Sequence, residues 1–122
     1  MLSGASAADA KPAAAHGDGQ PRGGFLWLAG DHHIHTQYSS DAVYRVADQA
    51  RHARAYGLDC MVITDHGSVQ HAKIGVEKVN PDIVAARDTI RDLLLFQGFE
   101  WNIPAAEHGT VFVHPGRSEV AC

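Results

Sequence analysis

The pattern of apolar and polar positions separates a leader from a folded domain. Residues 1–24 are rich in Ala, Gly, Asp and Pro. They lack a basic start and a long apolar stretch, which predicts a flexible leader rather than an intact signal peptide. From Phe25 to residue 122 the pattern is that of one domain. It opens with FLWLAGDHHIHT, which predicts a strand that ends in polar residues.

A helix is predicted next, in the segment VYRVADQARHARAYG. Apolar residues recur there every three or four positions, which places them on one face. The residues SSD at 39–41 offer a cap before the helix, and Gly57 is expected to end it. The predicted inner face consists of Val43, Val46, Ala47, Ala50, Ala53 and Tyr56.

The remaining elements predict an α/β fold. LDCMVITDH is an unbroken apolar run typical of a buried parallel strand. Asn80, Pro81 and Asp82 predict the start of a second helix, with Pro in its first turn. LLLFQGFEW predicts a third strand and TVFVH at 110–114 a fourth, an order that favours a mainly parallel sheet. The second helix is expected to turn inward Ile83, Ile90 and Leu93 or Leu94.

Composition and charge narrow the functional classes. The chain has 122 residues, 45% of them hydrophobic, which suits one small domain. The formal net charge of -4 disfavours general binding to nucleic acid. Cys60 and Cys122 form neither a CxxC pair nor a disulfide framework. No stretch reaches the length of a membrane span. We therefore expect a soluble chain, cytoplasmic by default, whose leader could also be the remnant of an export signal.

Histidine is unusually frequent, with nine residues. Each of the first three predicted strands ends in side chains that can bind metal. In barrels of parallel strands, chemistry gathers at the carboxyl ends of the strands, so we expect these side chains at one mouth. They are His33 and His35, then Asp65 and His66, then Glu100.

The motif DHHIHT offers two imidazoles to one ion. His33 and His35 share a face of an extended segment because strand periodicity is two. A tag-like or surface pair is the alternative. Asp31 and Asp65 are expected to orient metal-binding imidazoles from behind. His32 points to the opposite face and is interpreted as structural.

Each remaining candidate has a structural alternative. Asp41 either caps the first helix or folds back over the mouth. His66 is a hydrogen-bonded structural residue or a ligand, and Glu100 is a solvated side chain or a bridge between two ions. Near the fourth strand, His108 is favoured over His114.

These motifs support a family resemblance. DHHIHTQYSSDA, ITDHG and GFEWN, followed by His108, resemble the first motifs of the PHP (polymerase and histidinol phosphatase) superfamily over about residues 31–114. By this resemblance Asp41, His66 and Glu100 are catalytic. The metal ligands that it implies are His33, His35, Asp41, His66, Glu100 and His108.

The resemblance also implies a fold and a reaction. The expected fold is a partial (βα)7 distorted TIM-like barrel of the PHP type, truncated after about four strands. The expected centre holds two or three divalent ions of Zn, Mn or Fe, and a metal-bound hydroxide attacks a small phosphorylated substrate. The later His and terminal Asp-x-His of the family have no counterpart, since His114 follows Glu100 too closely. A half barrel exposes a sheet edge, which favours self-association.

Two other functional classes stay open at this point. A truncated barrel could be a non-catalytic metal-binding or interaction module. An amidohydrolase-like metallohydrolase with an HxH site would instead hydrolyse C–N bonds. Activity of so short a chain is itself an open question, and turnover of a phosphoester separates these alternatives.

Overall fold

The computed structural model describes residues 24–67, 75–116 and 119–121. Apart from Gly24, the predicted leader lies outside the described residues. The predicted order of strands and helices is confirmed. The elements are β1 (Gly30–Ile34), α1 (Val46–Ala55), β2 (Cys60–Ile63), α2 (Val76–Thr89), β3 (Leu94–Asn102) and β4 (His108–Phe112).

One four-stranded sheet with the order β1-β2-β3-β4 organises the fold. The strand β2 pairs in parallel with both β1 and β3, whereas β4 runs antiparallel to β3. The sheet curls into a half barrel, so the predicted mixed α/β architecture with a mainly parallel sheet is confirmed. Closure into a (βα)7 barrel stays a prediction.

The hydrophobic core lies between the sheet and the two helices. Met61 and Ile63 of β2 point to this side because alternate strand residues share a face. Ala50 and Ala53 of α1 are small and let the helix lie close to the sheet. Burial of one large aliphatic side chain contributes about 1.5–3 kcal/mol, so this layer fixes the helices. The other core residues are Val46, Val79, Ile83, Ala86, Leu93 and Leu95.

The strand β1 begins at Gly30 rather than at Phe25, so the predicted start was wrong. Gly30 pairs with Cys60, the first residue of β2, which provides no earlier partner. A Cβ atom on Gly30 would lie 2.1 Å from Cys60 Sγ, so any larger residue there would displace the Cys60 side chain. The apolar side chains before β1, including Trp27, are exposed.

The helix α1 also begins later than predicted. Its N-cap residue is Arg45, without a side-chain cap, so the SSD sequence does not start it. Val43 and Tyr56 are 81% and 77% exposed and lie outside the inner face. The prediction holds for the buried residues Val46, Ala50 and Ala53, while Ala47 is half-buried. Gly57, with φ 81°, follows the helix as predicted.

The helix α2 begins at Val76, upstream of the predicted start. Pro81 therefore lies inside the helix, where it lacks one backbone donor near the amino-terminal end. Ile83 is buried as predicted. Beyond the helix, Leu93 is buried and Leu94 is exposed, which resolves that alternative. Ile90 packs partly buried against the core.

The strand β4 spans His108–Phe112 instead of 110–114, which places His108 inside the strand.

Cys60 is half-buried, and burial raises the pKa of its thiol. Among the helices that the structure describes, none is long and apolar enough to cross a membrane.

Candidate metal centre

The carboxyl ends of the parallel strands bring four candidate ligands together. His33 lies in β1, and His35 is the first residue after this strand. His66 comes shortly after β2 and forms a parallel bridge with Glu100 of β3. Because parallel strands run in one direction, these side chains reach the same edge of the sheet.

Glu100 lies at the centre of the cluster, and its side chain is only 4% exposed. Its Oε2 atom lies 2.8 Å from His66 Nδ1 and 3.0 Å from His35 Nε2. The same oxygen is 3.9 Å from His33 Nε2. Its Oε1 atom contacts Nδ1 of His108. Four imidazole rings therefore surround one buried carboxylate.

Asp41 approaches the cluster from the loop after β1. Its carboxylate lies 3.1 Å from His35 Nδ1 and 3.4 Å from His66 Nε2, and its side chain is 56% exposed. Desolvation raises the pKa of Asp41, but hydrogen bonds with His35, the backbone and His66 bring it below the ordinary value. The structure thus places Asp41 over the mouth, as a carboxylate at neutral pH, and not at the cap of α1.

Among the residues that the structure describes, two groups of side chains have donor atoms close enough to hold an ion. One is His33, His35 and Glu100, and the other is His35, Asp41 and His66. The Nε2 atoms of His33 and His35 are 3.1 Å apart. Two ligands at about 2.1 Å from a tetrahedral ion lie about 3.4 Å apart, so this spacing suits a shared ion.

The buried Oε2 atom of Glu100 provides a second test of the fit. Ring nitrogens face this atom at short range, yet it accepts no hydrogen bond of normal geometry from the described residues. A buried anionic oxygen without such a bond is costly, and a cation among the ring nitrogens would stabilise it. Mixed imidazole and carboxylate donors suit Zn, Mn or Fe. The residues present therefore fit a divalent ion.

His35 belongs to both groups, but a neutral imidazole has a single lone-pair nitrogen. Its Nε2 atom faces His33 and Glu100, while its Nδ1 atom faces Asp41. With the proton on Nδ1, His35 donates to Asp41 and keeps Nε2 for an ion. Asp41 then orients His35 and can share a second ion with His66.

Asp65 holds the loop that carries Asp41. It is buried and accepts hydrogen bonds from Thr36 N–H and Thr36 Oγ1–H, both at 2.7 Å, and from Ser39 Oγ–H at 2.6 Å. Ser39 Oγ in turn accepts the backbone N–H of His66 at 3.1 Å. The sequence predicts that Asp65 orients an imidazole, whereas these contacts show that it ties the β1 loop to the end of β2.

Asp31 and Gln49 fix the backbone of the HxH motif. Asp31 Oδ1 accepts the backbone N–H of His33 at 3.0 Å, so it contacts the main chain rather than the ring. Gln49 of α1 donates to the carbonyl oxygen of His35 at 3.0 Å. His32 is exposed. The backbone of the motif is therefore held by one contact within β1 and one from α1.

The structure separates the two candidate histidines near β4. His108 lies against Glu100, whereas His114 Nδ1 contacts the carbonyl oxygen of Pro115 at 2.8 Å. The geometry thus favours His108 as the member of the cluster.

Thr110 is a neighbour of the cluster that the sequence did not indicate. Its Oγ1 atom lies 3.3 Å from His33 Nδ1. Thr110 follows His108 by two positions in β4, so both share one face. That spacing was the available signal.

Comparison with known proteins identifies a family. The family model described as PHP domain matches residues 31–108, which is more than half of the chain. The match begins at Asp31 and ends at His108, so it includes every candidate ligand named above except His114. No curated protein and no solved structure matches the chain.

Proposed function

The chain belongs to the PHP domain family, and on this basis we propose that it is a metal-dependent phosphoesterase acting on a small phosphorylated substrate. The observation that carries the proposal is the buried carboxylate of Glu100 in contact with histidine rings. Such an arrangement is costly for a metal-free protein and favourable around cations. Family membership supports the phosphoester chemistry.

The proposed centre holds two or three divalent ions of Zn, Mn or Fe. Glu100 would share its two oxygens between ions, because Oε1 faces His108 and Oε2 faces the other rings. Asp41, at the exposed side of the cluster, would meet an ion beside the substrate. The full set of proposed ligands is His33, His35, Asp41, His66, Glu100 and His108, with Asp41, His66 and Glu100 nearest to the reaction.

The charge of this centre favours a phosphate group. When bound, divalent ions polarise phosphoryl oxygens and lower the pKa of a bound water to about 7. Asp41 and Glu100 offset only part of the charge of two such ions, so the site stays net positive. This local field attracts a phosphate dianion although the chain as a whole has a formal net charge of -4.

The surroundings of His33 and His35 favour a small substrate. An open groove of about 430 Å³ is lined in part by His33 and His35 and continues past Gln49 and Tyr56 of the α1 region. The negative net charge disfavours a long nucleic acid. A phosphorylated small molecule therefore suits both the groove and the overall charge.

The test is turnover of a generic phosphoester by the purified chain. We expect p-nitrophenyl phosphate or its bis-ester to be hydrolysed with added Mn²⁺ or Zn²⁺. Glu100→Gln and His33→Ala should each reduce the rate at least about 100-fold. Removal of a metal ligand costs more activity than removal of a residue that only orients a ligand. Glu107→Gln and His114→Ala change exposed residues outside the cluster and should retain the rate.

Each other outcome selects another function. Tight binding of metal without turnover of any phosphoester would favour a non-catalytic metal-binding module. Hydrolysis of C–N bonds without phosphatase activity would favour an amidohydrolase-like enzyme. Absence of specific metal in the folded wild-type protein would contradict the proposed enzyme.

We also propose self-association through the edges of the sheet. In the described sheet, β1 and β4 are the outer strands. Phe112 in the outer strand β4 is exposed, and an open edge pairs readily with another chain. Light scattering over a range of concentrations should show a rising mass. A monomer at every concentration would contradict this part of the proposal.

A further inference from the structure

Two side chains of β4, those of His108 and Thr110, face the histidine cluster, and Thr110 is not among the proposed metal ligands. Thr110 is paired with Glu100 in the antiparallel ladder, and directly opposed residues point to the same face. The Thr110 hydroxyl reaches His33, with 3.3 Å between Oγ1 and Nδ1. The register of β3 and β4 therefore sets this contact.

The two nitrogens of His33 face different surroundings. Nε2 lies 3.1 Å from His35 Nε2 and 3.9 Å from Glu100 Oε2, inside the candidate centre. Nδ1 faces the hydroxyl of Thr110. A hydroxyl can accept a hydrogen bond, which requires the proton of the neutral ring on Nδ1. The lone pair is then on Nε2, directed to Glu100 and His35.

Packing alone does not fix the His33 ring, because its side chain is 43% exposed. A ring with that freedom can rotate and can carry its proton on either nitrogen. Ligand histidines in metal sites are commonly fixed by a hydrogen bond from the other ring nitrogen. The hydroxyl of Thr110 occupies this position for His33.

We propose that Thr110 is a positioning residue whose hydroxyl accepts the Nδ1–H of His33 and so directs Nε2 to a divalent ion. The inference rests on the proposed function, since it assigns His33 as a ligand. It adds β4 as an element that selects the tautomer of a ligand supplied by β1.

Nitrogen-15 NMR of the Zn²⁺-loaded protein reads which ring nitrogen of His33 carries the proton and which binds the ion. We expect the proton on Nδ1 and Zn²⁺ on Nε2 in the wild type. Thr110→Val keeps the shape and removes the hydroxyl that fixes the ring, so a second population of His33 with the proton on Nε2 should appear. Thr110→Ser should restore the single wild-type form. The matched control is Thr89→Val, which removes a hydroxyl that donates to backbone carbonyls of α2, away from the cluster.

Titration with Zn²⁺ provides the second measurement. We expect about tenfold weaker binding in Thr110→Val and recovery in Thr110→Ser. An Nε2–H tautomer in the wild type, or unchanged Zn²⁺ affinity in a folded Thr110→Val variant, would overturn the inference. If the wild type binds none of Zn²⁺, Mn²⁺ and Fe²⁺, the proposed function fails. Metal binding that Thr110→Val leaves unchanged contradicts the role of Thr110 alone.

Discussion

Asp65 and Glu100 are both buried carboxylates at the ends of neighbouring parallel strands, but their surroundings differ in kind. Asp65 accepts hydrogen bonds from a backbone amide and two hydroxyls, which are donors that need no other component. Glu100 faces imidazole nitrogens, each of which is either a donor or a lone pair. The pocket of Asp65 is complete in the metal-free chain, whereas a cation would complete that of Glu100.

This difference predicts that Asp65 contributes mainly to the stability of the fold and Glu100 mainly to the binding of a cation. A carboxylate with fixed neutral donors stabilises the fold, and its removal leaves those donors buried and unpaired. A carboxylate among titratable rings contributes little to folding and much to binding of a cation. Variants of the two acids should therefore change different measured quantities.

Glu100→Gln is expected to have the largest effect on metal binding. The change removes the charge that faces four rings, so Zn²⁺ affinity should fall by more than about 100-fold, measured by calorimetry. The free energy of unfolding of the metal-free protein should change little or rise, because a neutral amide is easier to bury. Glu107→Gln makes the same change on the exposed hairpin and should leave both quantities unaltered. Wild-type affinity in Glu100→Gln would remove the distinction.

Asp65→Ala should instead destabilise the metal-free fold. It leaves the donors of Thr36 and Ser39 unpaired, which we expect to lower the free energy of unfolding in urea by about 2 kcal/mol. Ser39→Ala, a milder change in the same network, should cost about 1 kcal/mol. Asp88→Ala, an exposed acid on α2, is the control, with a change within about 0.5 kcal/mol. An unchanged midpoint in Asp65→Ala would contradict its role in folding.

His108→Ala tests the exposed side of the Glu100 pocket. Loss of this ring should weaken Zn²⁺ binding about tenfold or more. His114→Ala is the matched control and should retain the affinity, since its ring contacts Pro115. The opposite pattern would transfer the ligand role to His114.

Glu119 is a third buried acid, held by an arginine and an asparagine. Its substitution is expected to have the smallest effect of the changes considered. Burial raises the pKa of Glu119, but hydrogen bonds from Arg87 and Asn80 outweigh burial and hold the pKa below the ordinary 4.5. Its contribution to stability is therefore complete above pH 4.5 and is lost as the pH falls through the lower value of the folded state.

The measurement is urea unfolding of wild type and Glu119→Gln at several pH values. We expect a difference of about 1 kcal/mol at pH 7 that shrinks below pH 4.5. A difference that grows toward acid would reverse the sign and show that Glu119 is held protonated. Glu107→Gln, at an exposed site, should show no such trend.

The sequence predicted the order of the elements and the parallel sheet, because apolar runs and helical spacing are local signals. It misplaced the element starts, where tertiary contacts decide. Pairing with Cys60 sets the start of β1. Hydrogen bonds to Asp65 hold residues 36 and 39 in a loop, so α1 cannot begin at the SSD sequence.

The part of the candidate site that lies at the ends of the predicted strands could be predicted from the sequence. His33, His35, His66 and Glu100 all stand at such positions, and the structure brings them together. The partners of Asp65 were not predictable, and for Thr110 only its spacing of two positions from His108 gave a signal, which did not indicate the contact with His33. Both depend on which strands and loops lie side by side, and a threonine or serine carries no metal-binding signature of its own.

The alternation of side chains in β4 makes the site depend on the register of this hairpin. His108 and Thr110 face the cluster because they oppose Asn102 and Glu100. A slip of β4 by one residue against β3 would turn both outward and bring Gly109 and Val111 inward. The loop 103–107 between the paired strands can change in length without this effect, provided that the pairing itself is kept.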